Sequence, residues 1–256
     1  MATGDAKILA KGLNLLEVLA QSAEGMTALE LAESVGVHKT TAYRYLNTLL
    51  QAGYIQTNGD ASYHLGNKIL ELGSQMLRRM PLRETAHPFL VKLSAETQKT
   101  VHLCVLDGHD VVYIDKVESQ QSLPMMSRIG SRAPAYCTSV GKALLSPFPT
   151  DQVISLLKGL SLKKQTSTTI TDPIQLLDEI KLTAERGYAI DDGEHEEGIK
   201  CFAARIIGYG GETVGAISIT GLKREFDNSE EAEKMIGALT KTATQISRAV
   251  GYGGPG

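Results

Sequence analysis

Apolar positions along the chain recur at helical spacing in some stretches and alternate in others, and the switches between the two periods mark out the elements. Ile8 to Gln21 repeats at helical spacing, with Ile8, Leu9, Leu13, Leu16, Val18, Leu19 and Ala20 apolar. Thr27-Ala28-Leu29-Glu30 fits a capping box, in which an N-cap hydroxyl and a carboxylate three residues on satisfy each other's backbone N–H groups. The short helix it opens places Leu29, Ala32 and Val35 on one face for burial, and Gly36 tolerates the left-handed backbone that ends a helix tightly. A second helix, His38 to Ala52, sets Ala42, Tyr45, Leu46, Leu49 and Leu50 against a polar face of His38, Lys39, Thr40, Thr41, Tyr43, Arg44 and Asn47. The period then changes to alternation. Tyr54–Thr57 and Ser62–Leu65 flank Asn58-Gly59-Asp60-Ala61, and Asn-Gly between alternating runs predicts a hairpin.

Gly66 to Met80 is again amphipathic, with Ile69, Leu70, Leu72, Met76 and Leu77 opposite Lys68, Glu71, Arg78 and Arg79. Pro81 ends it and marks a boundary. Beyond lie a helix over 82–98 broken at Pro88, a hairpin of Thr100–Leu106 and Val111–Val117 around Asp107–Asp110, and a short third strand at Met125–Ile129. Helices follow at Thr138–Ser146, Asp151–Leu157 and Pro173–Arg186, with Asp172 as N-cap of the last. Strands at Tyr188–Asp191, Ile199–Ile207 and Thr213–Thr220 precede a closing helix, Ser229–Val250, capped by Ser229. Strands joined mostly by hairpins imply an antiparallel sheet flanked by helices, and the fold class is α+β. The organisation expected is a winged helix-turn-helix over residues 6–66, a linker helix over 67–80 that sets distance and angle, and an α/β domain over 81–252.

The polar face of the second helix carries no carboxylate. Arg, Lys, Thr and Asn donate to phosphates and base edges, and the start of such a helix reaches deepest into a major groove. His38, Lys39, Thr40, Thr41, Tyr43, Arg44 and Asn47 are therefore the expected DNA contacts. The hairpin forms a wing that brings Thr57, Asn58 and Ser62 to phosphates or the minor groove. Charge qualifies this picture. Residues 1–66 hold four cations against six carboxylates, a balance of −2, so binding must rest on where charges lie rather than on their sum.

The remaining composition is that of a globular protein: 256 residues, 42% hydrophobic, 21% charged, a net charge of −3 and no Trp. Cys104, Cys137 and Cys201 are too widely spaced for a disulfide framework and suggest reduced thiols in a cytoplasm. No signal peptide opens the chain, and no apolar run approaches the roughly 20 residues that span a bilayer. Nothing in the chain calls for a cofactor, a metal or a membrane.

Two stretches are candidates for holding a small molecule. Tyr136 to Ala143 puts small residues at a helix start, where unpaired N–H groups suit a carboxylate, although Thr138 or Ser139 serving as a plain N-cap accounts for the stretch by itself. Asp191 to Cys201 is dense in acid. Asp191 can accept from a ligand hydroxyl and Cys201 can wall a pocket, while Glu194, Glu196 and Glu197 read as a solvated acidic loop. Asp191, Glu194 and His195 match no standard zinc spacing. A hydrolase built on Cys201 and His195 is the rival reading, weakened because Cys201 lies in an apolar strand pattern where thiols are inert.

Three segments together carry a family resemblance: His38-Lys39-Thr40-Thr41-Ala42-Tyr43-Arg44, Cys137-Thr138-Ser139-Val140-Gly141-Lys142-Ala143, and Gly187-Tyr188-Ala189-Ile190-Asp191 running on to Glu194 and Gly198-Ile199-Lys200-Cys201. With these the chain resembles the IclR family of transcriptional regulators over nearly its full length. Departures follow Cys201: Phe202 stands where a smaller aliphatic is usual, and Ile207-Gly208 where an aromatic or His precedes Asp or Asn. The resemblance implies a GAF/PAS-like effector domain and a repressor that binds a double-stranded DNA operator. It also implies a small organic acid as effector and homodimers that assemble into homotetramers. By the same resemblance, Met126, Thr138, Ser139, Val140, Asp191, Cys201, Ser218 and Thr220 face the effector, with Ser139 and Val140 offering backbone N–H groups to its carboxylate. Thr100-Val101-His102-Leu103, Met126 to Gly130 and Glu196-Glu197-Gly198 look most like the repressors that respond to 2-keto-3-deoxygluconate. Glyoxylate, pyruvate and aromatic acids are the alternatives.

Overall fold

The change of pattern at Pro81 coincides with a division of the chain into two units, Met1–Arg79 and Met80–Gly256. A computed structural model describes residues 4–57, 61–78, 80–119, 127–158, 161–226 and 228–254.

The first unit runs α1 (Gly4–Gln21), β1 (Met26–Thr27), α2 (Ala28–Ser34), α3 (Lys39–Gln51), β2 (Ile55–Thr57), β3 (Ser62–Leu65) and α4 (Asn67–Arg78). The capping box forms: the Thr27 N–H donates to Glu30 Oε2 at 2.7 Å and the Glu30 N–H to Thr27 Oγ1 at 3.4 Å. Gly36 takes φ +64° after α2. The core stripe of α2 is Ala28, Leu31, Ala32 and Val35, not the expected Leu29, Ala32 and Val35. Leu29 is 51% exposed, because a one-residue step turns a helical side chain by about 100° and the i, i+3, i+4, i+7 set begins at Ala28. In α3, Ala42 and Leu46 are buried and Tyr45 and Leu49 pack beside them, but Leu50 stays exposed in the last turn. The wing is a three-stranded antiparallel sheet ordered β1-β3-β2, in register Ile55↔Leu65 and Thr57↔Tyr63. Its tip, with Asn58, lies outside the described residues.

Of the apolar residues expected on α1, Leu19 is buried and Leu16 and Val18 pack at the edge of the core, joined by a buried Leu15. Ile8, Leu9 and Leu13 are exposed, as are Leu70, Leu72 and Met76 on α4.

The second unit opens with α5 (Pro81–Thr97). It continues through β4 (Thr100–Asp107), β5 (Asp110–Val117), β6 (Arg132–Pro134), α6 (Ser139–Leu145), α7 (Thr150–Leu157), α8 (Pro173–Arg186), β7 (Ala189–Asp192), β8 (Ile199–Ile207), β9 (Thr213–Leu222) and α9 (Ser229–Ala249). Three expectations change. Helix α5 passes through Pro88 without a break, forgoing only the hydrogen bond that a proline cannot donate. The third strand is β6 rather than Met125–Ile129. Residues 125 and 126 lie outside the described set, and Ile129-Gly130 forms a turn whose Gly130 N–H donates to the Tyr113 carbonyl at 2.8 Å. Helix α9 is capped by Asn228, whose side chain accepts from the Glu230 N–H, not by Ser229.

The six-stranded sheet is ordered β6-β5-β4-β9-β8-β7, with every neighbouring pair antiparallel. Strand alternation sorts side chains onto two faces. Val101, Leu103, Phe202, Ile217 and Ile219 pack beneath α5 and α9 with Leu90, Leu93 and Ile246. Cys104, Ala189, Ala203 and Ala216 turn to the other face, with Val140, Leu144, Leu176 and Ile180. These small residues let α6 settle so close that all seven of its residues are buried. Gly141 is the tightest point, where a Cβ would overlap the carbonyl oxygen and Cα of Ala135. Gly141→Ala is therefore expected to cost about 1–3 kcal/mol through overpacking. Thermal unfolding of the variant checks this, and an unchanged midpoint would contradict the packing.

Candidate DNA-reading surface and ligand pocket

On the first unit, α3 presents His38, Lys39, Thr40, Tyr43, Arg44 and Asn47 to solvent, with Thr41 half-buried. The Lys39 ammonium lies 5.9 Å from the centre of the Tyr43 ring. His38 is the N-cap residue, but its side chain makes no capping bond. Ser62 on the wing is half-buried, its Oγ 3.0 Å from His64 Nε2. This surface combines a positively charged helix face, hydroxyls and a planar ring, with no carboxylate on the helix.

On the second unit, the face of the sheet toward α6 changes from small apolar to polar at one end. Register explains how. Asp191 pairs with Cys201, and Cys201 with Thr220; His102 pairs with Ser218 on the adjoining row. Alternation points all of them the same way, and with the start of α6 they enclose a pocket. Seven of the residues expected to face an effector line it: Thr138, Ser139, Val140, Asp191, Cys201, Ser218 and Thr220. Met126 lies outside the described residues. His102, Tyr113, Ser127, His195, Glu196 and Ile199 complete the wall without having been expected there.

His102 is the central unexpected residue. Its Nε2 is 2.8 Å from Ser127 Oγ, its Nδ1 is 3.4 Å from both Ser218 Oγ and Thr220 Oγ1, and the Tyr113 ring meets it edge-on at 5.1 Å. Ser127 is held in turn by Lys116 Nζ, which donates to its carbonyl at 2.8 Å. Burial, and secondarily the Lys116 charge, lower the imidazole to about 3, so His102 is neutral at physiological pH. Thr138 both caps and lines: its Oγ1 accepts from the Gly141 N–H at 3.2 Å, and it donates to the Pro134 carbonyl at 3.0 Å.

Glu194 corrects the reading of residues 194–197 as a solvated loop. It is 6% exposed and its carboxylate meets Lys142 Nζ at 2.5 Å. Lys142 on α6 is fully buried and lies 3.9 Å from Glu179 of α8, which also pairs with Arg186 at 2.6 Å. The Glu194 N–H donates to Asp191 Oδ1 at 2.7 Å. Hydroxyls of Thr166 and Thr168 donate to the Gly193 carbonyl, and that of Thr169 to the Glu194 carbonyl. Glu197 is exposed, and Glu196, also exposed, reaches the pocket rim.

These contacts separate the groups that rival readings would bring together. His195 Nδ1 faces Cys137 Sγ at 3.8 Å, not Cys201, whose sulfur accepts from Thr220 Oγ1 at 3.3 Å. Burial pushes the Cys137 thiol up to about 12 and the Cys201 thiol higher, so neither is a thiolate nucleophile. Asp191, Glu194 and His195 point to three different partners, and among the described residues no three metal-ligating side chains gather. No helix of the described residues is long and apolar enough to cross a membrane.

A winged helix-turn-helix in one unit and a pocket-bearing antiparallel sheet in the other fit the class of DNA-binding transcriptional regulators. Comparison with known proteins agrees. The IclR helix-turn-helix domain matches residues 8–59, and the bacterial transcriptional regulator IclR C-terminal domain matches residues 74–248. The chain belongs to the IclR family of transcriptional regulators, whose members here are regulators and not enzymes. The HTH-type transcriptional regulator KdgR of Escherichia coli is 35% identical over 244 residues, 94% of this chain and 92% of that protein. The acetate operon repressor of Salmonella typhimurium is 34% identical over 256 residues, 98% and 92% of the two chains. The crystal structure of Thermotoga maritima IclR superposes with a TM-score of 0.80 at 37% identity, covering 96% of this chain and all of that one.

Asp191 provides a pH signature. Burial raises its carboxyl from 3.8 to about 7, opposed by the Glu194 N–H and by Lys142. A carboxyl raised on folding stabilises the native state below its unfolded value, and that contribution is lost as pH rises through the folded one. Asp191→Asn keeps an acceptor for the Glu194 N–H and removes the titration. Its melting temperature should therefore gain on that of the parent as pH rises from about 4 to about 8. A constant difference between the two across that range would contradict a buried, titrating Asp191.

Proposed function

We propose that this regulator is a repressor whose pocket binds a small polyhydroxylated organic acid of the 2-keto-3-deoxygluconate type, and that occupancy weakens its hold on a two-half-site operator. The observation that carries the reading is the character of the pocket wall. Ser127, Ser218 and Thr220 bring hydroxyls within 3.4 Å of the neutral His102 imidazole, and Tyr113, Thr138 and Ser139 line the same wall, a set suited to ligand hydroxyls. The first N–H groups of α6, at Ser139 and Val140, are available for a carboxylate. The likeness to KdgR supports the same ligand class. DNA contact is assigned to His38, Lys39, Thr40, Thr41, Tyr43, Arg44 and Asn47, with Asn58 and Ser62 from the wing. The exposed Ile8, Leu9 and Leu13 of α1 and Leu70 and Met76 of α4 support pairing of two protomers through their DNA-binding units, and we extend this to homotetramers and a cytoplasmic setting. Ligand and operator then influence one another through a coupling free energy.

The test has two arms. Duplex fragments from upstream of its own gene should be retarded by the purified protein and released by 2-keto-3-deoxygluconate. The same compound should raise the melting temperature, since a ligand at about 100 times its Kd stabilises by about 2.7 kcal/mol. Glyoxylate, pyruvate and 4-hydroxybenzoate serve as comparisons, and a response to one of these alone would replace the ligand class. Arg44→Ala should weaken operator binding by about 1–3 kcal/mol if its guanidinium reads a base. An unchanged footprint would remove Arg44 from the interface.

A further inference from the structure

Residues 1–66, the helix-turn-helix and its wing, hold four cations against six carboxylates, yet the family binds DNA, and the placement of the cations suggests how. All four cations of residues 1–66 lie either on α3, as Lys39 and Arg44, or at one cleft beside its start, as Lys7 and Lys11 of α1. That cleft runs between α1, which adds Ile8 to its wall, and the turn joining α2 to α3, where Gly36, Val37, His38, Thr41 and Tyr45 form the other side. None of Glu17, Glu24, Glu30 or Glu33 lines it, and Glu30 is engaged in the capping box with Thr27. Lys11 Nζ donates to the Gly36 carbonyl at 3.0 Å, which holds its ammonium at the turn with two of its three donors still to place. Lys7, one helical turn earlier, is exposed. His38 puts no side-chain acceptor on the first turn of the 13-residue α3, so the positive end of that helix opens toward the same space.

We propose that this cleft seats a phosphodiester of duplex DNA, with Lys7 and Lys11 supplying charge and the start of α3 supplying N–H donors. The inference rests on the DNA-binding reading and adds to it a part that carries no sequence information. Phosphate contacts fix register and orientation, whereas the outward face of α3 reads bases. The division of labour explains how residues 1–66, with a balance of −2, bind a polyanion. Lys7, Lys11, Lys39 and Arg44 gather at the start and outer face of α3, and Glu17, Glu24, Glu30 and Glu33 lie outside the cleft.

Salt dependence separates this seat from base reading. Affinity for a mixed-sequence duplex, which has no operator to recognise, is measured over a series of salt concentrations for the parent protein, Lys7→Gln and Lys7→Glu. Lys7 is the position of choice because Lys11 also ties the turn, and a thermal melt of each variant reports on folding. Removing a single cationic partner of a phosphate should flatten the slope of log affinity against log salt by about 0.9. Lys7→Gln should show that change per protomer, with an equal fractional weakening on operator and mixed-sequence DNA, and Lys7→Glu a deeper one, at an unchanged melting temperature. An unchanged slope in both variants overturns the seat while leaving the regulator intact. So does a weakening confined to the operator, or a shift in protomer association without a shift in slope. Failure of the parent protein to bind any duplex at low salt would instead remove the DNA-binding reading itself.

Discussion

Lys142 is the constraint around which the ligand-binding unit is arranged. An ammonium with no solvent exposure must be paired, because an isolated buried charge is costly, and removing one partner of a buried pair typically costs about 3–5 kcal/mol. Glu194 meets that demand, and in doing so it draws the segment after β7 inward over the α6 end of the sheet. The Glu194 backbone then fixes Asp191, and the threonines at 166, 168 and 169 hold the carbonyls of the same segment. Without this pair Glu194 would have reason to turn to water with its neighbours Glu196 and Glu197, and the hold of its N–H on Asp191 would be loosened.

The second requirement is closeness. Cys104, Ala189, Ala203 and Ala216 are small, and Gly141 has no Cβ, so α6 lies against the sheet with its first turn at the polar end. Thr138 caps that turn and also lines the cavity, so the two readings of its stretch are compatible. The other face of the sheet carries the large residues, Phe202, Ile217 and Ile219 among them, packed against α5 and α9. One face therefore serves stability and the other hosts chemistry, and strand alternation alone keeps them apart.

In the DNA-binding unit the equivalent economy is electrostatic. The helix that faces outward is held by Ala42 and Leu46 beneath it, and its exposed side is left free of acid. Leu9 and Leu13 on α1 and Leu70 and Leu72 on α4 remain exposed, the apolar surface on which the proposed pairing of protomers rests.

Much of this was legible from the residues in order. The capping box, the Gly36 break, the polar face of α3, the hairpins and the Pro173 start of α8 are written in neighbouring residues, because the forces behind them act within one turn or one strand. Motif likeness marked seven lining residues in advance. Tertiary structure was needed to turn α2 by one position and bury Leu31 in place of Leu29, since periodicity without a partner does not say which stripe is covered. It was needed to put His102 at the heart of the pocket, because alternation divides a strand into two faces but does not say which is open. It was needed above all to join Lys142 to Glu194, 52 residues apart. Local sequence determines what each segment can form, whereas the pairing of distant charges depends on a sheet register that no single segment contains.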